Sequence, residues 1–323
     1  MKKILFISSV ALFMASCYED YVKDYDYSGI YFANQVNTRT VVVGEGMKIE
    51  VGAVLGGVMD NNQDRVVDYE IDNSLVDASV LEAMKSSTSN YIKDAVDGVD
   101  ELKSMPSDYY SISNDVIVIP KGDHLGKVTL KVDSLKFVSD PLTLKANYAI
   151  PFKIIRADAD TILASKSTMV IGLKYENMLF GNYWHGGVTV VKNANGEVVE
   201  TKRYYTQIPQ PDNQVWSLTT VAPASLVTNK IGDGNTSGNL KLTLNHQTGA
   251  VNVESDNAVL EVSNDGDCYF NRAKLLQDRK IFLKYRFRNS DGTVSYATDT
   301  LTFRNRIRDG VNEWQDENPE HYN

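Results

Sequence analysis

From Gly29 onward the chain is built of short apolar runs, many at period two, separated by Gly, Asn and Asp. In Met47-Lys48-Ile49-Glu50-Val51 apolar and charged residues alternate, as a strand with one buried face requires. Val128, Leu130 and Val132 share one face, and Lys127, Thr129 and Lys131 the other. Leu142, Leu144, Ala146 and Tyr148 are expected to alternate in the same way against Thr143, Lys145 and Asn147. The continuous run Val116 to Ile119, stopped by Pro120-Lys121-Gly122, predicts a buried strand followed by a turn. Strands at this spacing predict a β-sandwich over residues 29–174. One stretch departs from it. Between Asp77 and Lys103, Val80, Leu81 and Met84, then Tyr91, Ile92, Ala95, Val96, Val99 and Leu102, follow a helical stripe that ends before Pro106. This predicts an insertion of one or two short helices, with a ligand-gating loop as the alternative because long excursions are often functional.

A second all-β domain is expected over residues 177–323. Val188 to Val191 and Val198 to Tyr205 flank Asn193-Ala194-Asn195-Gly196, which has hairpin turn chemistry. Leu240, Leu242 and Leu244 alternate with polar residues, and Val251 and Val253 continue the inward face after the turn at His246 to Gly249. Ile281, Leu283, Tyr285 and Phe287 form a strand that Asn289-Ser290-Asp291-Gly292 turns into Thr293 to Arg304. Connections of this length predict sequential antiparallel neighbours, closing as an up-and-down barrel or packing as a sandwich. Gly181-Asn182-Tyr183-Trp184 with Arg304 on the last strand resembles a lipocalin-type barrel, with spacing that differs by one residue.

The first 16 residues read as a signal peptide: Lys2 and Lys3, the apolar run Ile4 to Met14, then Ala15-Ser16 before Cys17. The run is too short to span a bilayer, which takes roughly 20 apolar residues. The Cys after the small pair resembles a bacterial lipobox, with Met14 where Leu is usual, and Cys17 is the expected lipidation site. Residues 17–28 then form an acidic, tyrosine-rich tether, in which Glu19 and Asp20 resemble the surface-export signal of Bacteroidetes lipoproteins. The expected location is the outer membrane, lipid-anchored and facing outward.

Composition narrows the partners. The formal charge of −9 becomes −11 once Lys2 and Lys3 are removed, leaving 31 basic against 42 acidic residues. Nucleic-acid binding relies on clustered Lys and Arg, so no nucleic-acid partner is expected. With Cys17 lipidated, only Cys268 remains, and a single thiol closes no intrachain disulfide.

No cofactor and no metal is expected: His124, His185, His246 and His321 form no HxH or HExxH pair. Asn264-Asp265-Gly266-Asp267 and Asp158-Ala159-Asp160 have calcium-like oxygens but lack the distal Glu of a full loop. No Gly-x-Ser-x-Gly elbow occurs, and Cys268 reads as a small core residue. Paired carboxylates for glycoside hydrolysis carry no weight where acidic residues are abundant. Aromatics are the better prospect, because sugar rings present C–H faces to Trp or Tyr while their hydroxyls bond to polar side chains. Trp184, Tyr204, Tyr205, Trp216 and Trp314 are therefore the candidate ligand contacts, against the competing reading of each as core. Arg304, Arg306 and Arg308 recur at period two and would share one side. They could clamp acidic sugars or, the favoured reading, pair with Asp299, Asp309 or Glu313.

The mature chain resembles a family of two-domain surface lipoproteins of Bacteroidetes whose genes commonly lie beside starch-utilisation-type glycan import systems. The matching residues are the lipobox with its acidic follow-up, Asp108-Tyr109-Tyr110, Ile119 to Gly122, Val128 to Leu130, Trp216 to Val221 and, most specifically, Asp299 to Gly310. The resemblance implies an immunoglobulin-like N-terminal domain, an all-β C-terminal domain and glycan binding or adhesion. It supplies no residue-level binding motif. The expected function is non-catalytic capture of a polysaccharide or oligosaccharide for an outer-membrane importer. An adhesin or assembly protein that recognises a protein partner is the alternative, and a glycoside hydrolase or hydrolase accessory the third reading.

Overall fold

A computed structural model describes residues 25–204 and 212–316. Within them the fold is all-β, as the alternation predicts.

The first half is two facing sheets. One has the strand order Thr161–Ile162, Asp26–Tyr31, Lys48–Val58, Leu125–Val132, Tyr110–Ile112. The other runs Val36–Val43, Thr168–Asn177, Tyr148–Ala157, Arg65–Ile71, Val116–Ile119. Most pairs are antiparallel, but Val36–Val43 lies parallel to Thr168–Asn177 in the register Val170↔Val36. Ile30, Phe32, Val51, Leu130, Phe152 and Leu173 come from inward positions of both sheets and fill the space between them. Burial at every second residue is what period two delivers.

The helical stripe forms two short helices, Ala78–Lys85 and Asn90–Ala95. Asp77 caps the first, accepting from the N–H groups of Ser79 at 2.8 Å and Val80 at 3.1 Å. Leu81, Met84, Ile92 and Ala95, with Val96, Val99 and Leu102, bury against Ala146, Ala149 and Val170. The insertion therefore has a small core of its own on the outer side of the second sheet.

One element differs from its expected form. Leu142 to Tyr148 is not a strand: Pro141–Leu144 is a 3₁₀ turn, and the strand begins only at Tyr148. Asp140 accepts from the Leu142 N–H at 2.9 Å, and Pro141 sits in the first turn with its φ already set. This local capping chemistry outweighs an alternation that a short window cannot distinguish from chance.

The second half is a meander that all but closes on itself. Its order is Val251–Ser255, Leu240–Leu244, Ser225–Thr228, Gln214–Ala222, Gly181–Lys192, Val294–Arg308, Lys280–Arg288, Ser263–Asn264. The ends meet through Asn264, whose Oδ1 accepts from Val253 N at 2.8 Å and whose Nδ2 donates to Val251 O at 3.0 Å. Val251 N also donates to Cys268 O at 2.9 Å, and Ala250 bridges Tyr269. Of the two architectures that the hairpins allowed, the barrel is the one formed. Its interior is packed by Tyr183, Trp216, Leu240, Leu283, Tyr285 and Phe303, all buried.

Glu45 joins the two halves. It is 7% exposed in the turn after Val36–Val43. Arg306 grips it bidentately, Nη1 to Oε1 and Nη2 to Oε2 at 2.8 Å each, and Arg279 Nη2 lies 2.8 Å from Oε1. Arg306 also donates from Nε to Glu313 at 2.6 Å. Burial pushes the Glu45 carboxyl up, and the hydrogen bonds and charges of Arg306 and Arg279 more than reverse this, holding it below the ordinary glutamate value.

Candidate functional site

Adjacent residues of Gly181–Lys192 face opposite sides of the barrel wall, which divides the predicted aromatics into two groups. Tyr183 and His185 point inward and are buried; Trp184 points outward and is half-buried.

Trp216 belongs to the interior. It is fully buried and stacks on His185 with ring centroids 3.9 Å apart. Tyr204, on Val198–Tyr204, which pairs further along the same edge, stacks on His185 at 4.9 Å. The Tyr204 hydroxyl donates to Asp299 Oδ1 at 2.9 Å, and Tyr285 donates to Asp299 Oδ2 at 2.8 Å. Burial, reinforced by the Asp299 charge, drives both phenols far above their usual range, so they remain donors. Gly187 faces Asp299 across the strands, and a Cβ there would lie 2.3 Å from the Thr298 carbonyl oxygen. His185 Nε2 comes within 3.3 Å of Asp299 Oδ1, but too obliquely for a hydrogen bond, and both ring nitrogens lack a partner among the described residues. A polar cavity of about 160 Å³ at the barrel mouth reaches Thr189, which bonds Tyr204 at 2.6 Å. The His185 and Asp299 side chains themselves are 0% exposed. These groups hold the barrel together from within: His185, Trp216, Tyr285 and Asp299 are buried, and Tyr204 is half-buried.

The exterior presents the better site. The Arg304 guanidinium lies 4.8 Å from the Trp184 ring centroid. Arg304 keeps the outward parity of Thr302 on its own strand; just beyond it a bulge, where Asn182 pairs with Asn305 and Tyr183 with Phe303, reverses the parity and turns Arg306 inward. This corrects the expectation that Arg304, Arg306 and Arg308 share a side. Arg306 is buried on Glu45, and Arg308 pairs with Glu313 at 2.8 Å. Of the carboxylates expected to pair with these arginines, Glu313 does so, whereas Asp299 is held by tyrosines and Asp309 pairs with Arg39 at 2.9 Å.

Beside Trp184 runs a ladder of hydrogen-bonded polar side chains. Ser217 Oγ donates to Asn182 Oδ1 at 2.7 Å, Asn182 Nδ2 to Asn305 Oδ1 at 3.3 Å, and Asn305 Nδ2 to Asn312 Oδ1 at 2.6 Å. It borders a groove of about 830 Å³ between the helical insertion and the barrel. Tyr91, Lys174 and Glu176 wall one side, and Asn182, Ser217 and Ile307 the other. Lys174 and Glu176 neutralise each other at 2.6 Å. Trp314, just after Val311–Glu313, is 57% exposed. Tyr205 lies outside the described residues, as do Cys17 and the signal and tether up to Asp24. Among the described residues no cluster of three or more His, Cys, Asp or Glu side chains could hold a metal ion.

No pattern in the sequence marks the amide ladder. Its members are far apart in the chain and each is an ordinary strand or turn residue, so only the cross-strand register brings them together.

Comparisons with known proteins bear on the fold. A family model for an N-terminal domain matches residues 25–161. No curated protein matches the chain. A Bacteroides ovatus protein of unknown function shares 22% identity over 90% of this chain and 99% of its own, with a TM-score of 0.64. A Bacteroides ovatus multidomain protein that includes DUF1735 is 13% identical over 90% of this chain and 100% of its own, at a TM-score of 0.42. A candidate carbohydrate-binding protein from Bacteroides ovatus ATCC 8483 is 12% identical over 70% of this chain and 67% of its own, at 0.30. At those two TM-scores the likeness bears on neither fold nor function. The first does bear on fold: this chain has the all-β architecture of a Bacteroides ovatus protein along nearly its whole length.

Proposed function

We propose that the protein is a non-catalytic glycan-binding lipoprotein, anchored at the outer membrane through Cys17 and serving polysaccharide capture for an importer. The observation that carries this reading is the outward Trp184 beside the Ser217–Asn182–Asn305–Asn312 ladder, leading into the groove under the helical insertion. An aromatic face takes the C–H surface of a sugar ring, and amides give and accept hydrogen bonds to its hydroxyls. The groove volume of about 830 Å³ is within the range of small-molecule sites.

Affinity electrophoresis of the purified protein in gels containing plant or host polysaccharides tests the reading. Trp184→Ala is expected to cost about 2 kcal/mol of binding or more, as loss of an aromatic anchor does. Unchanged affinity in that variant, or no retention by any polysaccharide, would sink it. Recovery of an envelope protein in a pull-down, with no polysaccharide retained, would favour the adhesin alternative. The anchor has its own test: Cys17→Ala should release the protein from the membrane fraction, and its retention after a high-salt wash would refute lipidation as the attachment.

A further inference from the structure

The face that carries Trp184 continues across four strands, and its charge is opposite to that of the chain. The protein is acidic, with a formal net charge of −9. The outward positions of Gly181–Lys192, Val198–Tyr204, Lys280–Arg288 and Val294 to Arg304 nevertheless hold seven Lys or Arg and, among the described residues, no Asp or Glu. Lys280, Lys284, Arg286 and Arg288 alternate with the buried Ile281, Leu283, Tyr285 and Phe287, so one strand alone aligns four cations. Arg304 stands on the next strand of the sheet, Lys192 on the one after it and Arg203 on the strand beyond that.

Aromatic rings and hydroxyls are interleaved with these cations. Arg304 lies over Trp184 at 4.8 Å and Lys192 over Tyr296 at 4.5 Å. Phe282 stacks on Tyr269 with centroids 4.8 Å apart. Thr298 and Thr300 run between them at outward positions, paired with Lys284 and Phe282. Carboxylates are confined to the fringe: Glu261 pairs with Arg288 at 2.7 Å, and Asp265 and Asp267 sit on the turn whose Gly266 packs beside Lys284. Like charges gathered on one face repel one another, and a surface built only for solubility mixes the two signs.

We infer that this face binds an anionic polysaccharide, one whose sugars carry carboxylate or sulfate groups. The inference rests on the reading of Trp184 as a sugar platform and names the class of sugar. The cations meet the acidic groups, Arg bidentately, while the rings take the apolar sugar faces and the threonines the hydroxyls. Charge alone would serve any polyanion; the interleaved rings and hydroxyls are what favour sugar.

The test is affinity electrophoresis of the full chain and of the double variant Lys284→Glu/Arg286→Glu in gels containing polygalacturonate, dextran sulfate, neutral dextran or polyphosphate. Both substituted side chains are exposed and outside the core, so the melting temperature should not move. Retention is expected on polygalacturonate, dextran sulfate or both, the two gels distinguishing carboxylate from sulfate. It should weaken as salt rises and fall by about tenfold or more in the variant, because each lost cation removes a counterion-releasing contact. Equal retention on dextran, equal retention on polyphosphate, or no loss in the variant would overturn the inference. So would binding to anionic lipid vesicles with no binding to either acidic polysaccharide. The two readings fail separately. Loss of neutral-glycan binding in Trp184→Ala with an inert double variant would leave the platform and remove the acidic specificity. The reverse pattern would keep a polyanion-binding face and remove the platform.

Discussion

Trp184 and Trp216 stand on neighbouring strands, with Trp184 paired to Val215 and Trp216 to Tyr183, yet they face opposite sides of one wall. Trp216 is sealed inside against His185, while Trp184 lies outside under Arg304. The two sides use the same residue types for different ends. Inside, Tyr204 and Tyr285 satisfy a buried carboxylate, which is expensive to leave unpaired. Outside, the amide ladder is exposed to solvent, so its groups can exchange partners with a ligand at little cost. The type of an aromatic residue therefore says little about its role, and its parity along the strand says much.

The largest expected effect is on the inner side. Trp216→Ala should destabilise the protein by about 3–5 kcal/mol, since a large cavity would open in a packed interior. Thermal or urea unfolding measures this, and a drop below about 1 kcal/mol would show that the site is not tightly packed. Of similar size is the clamp between the halves. Glu45→Gln leaves Arg306 and Arg279 buried with a neutral partner, and breaking such a cluster costs about 3–5 kcal/mol. The clamp also predicts a direction with pH. Because the Glu45 carboxyl titrates lower in the folded than in the unfolded chain, its contribution is complete above the ordinary glutamate value. It is lost as pH falls through the folded value. Wild type should therefore lose stability on acidification more steeply than Glu45→Gln, and parallel acid-unfolding curves would argue against the clamp.

A smaller effect is expected at Tyr285→Phe, which removes the donor to Asp299 Oδ2 and the acceptor of the Gly232 N–H and leaves the rest of the ring in place. About 1–3 kcal/mol of stability should go with it. Smallest of all, Trp184→Ala should change stability by about 1 kcal/mol or less, as substitutions away from the core do. Its consequence should appear in binding alone.

Alternation made much of the fold legible. It marked Met47 to Val51, Val128 to Val132 and Ile281 to Phe287, and its failure between Asp77 and Lys103 marked the helical insertion. The stretch from Leu142 to Tyr148 was misread because Asp140 and Pro141 impose a turn through contacts that periodicity does not register. At the candidate site, Trp184 and Arg304 were individually visible, but the bulge that sends Arg306 to the opposite side from Arg304 was not. Glu45 gave no sign of its role. It sits between two turn glycines, and its partner Arg306 is 261 residues away. The cationic face could have been found: Lys280, Lys284, Arg286 and Arg288 keep even parity against buried odd positions, a pattern written openly in KIFLKYRFR.

The most direct test of the account measures polysaccharide affinity and melting temperature side by side for Trp184→Ala and Trp216→Ala. The account predicts that Trp184→Ala melts like wild type and loses about thirtyfold or more in affinity, while Trp216→Ala loses binding only as far as it unfolds. A Trp184→Ala protein that melts early, or one that binds as tightly as wild type, would contradict it.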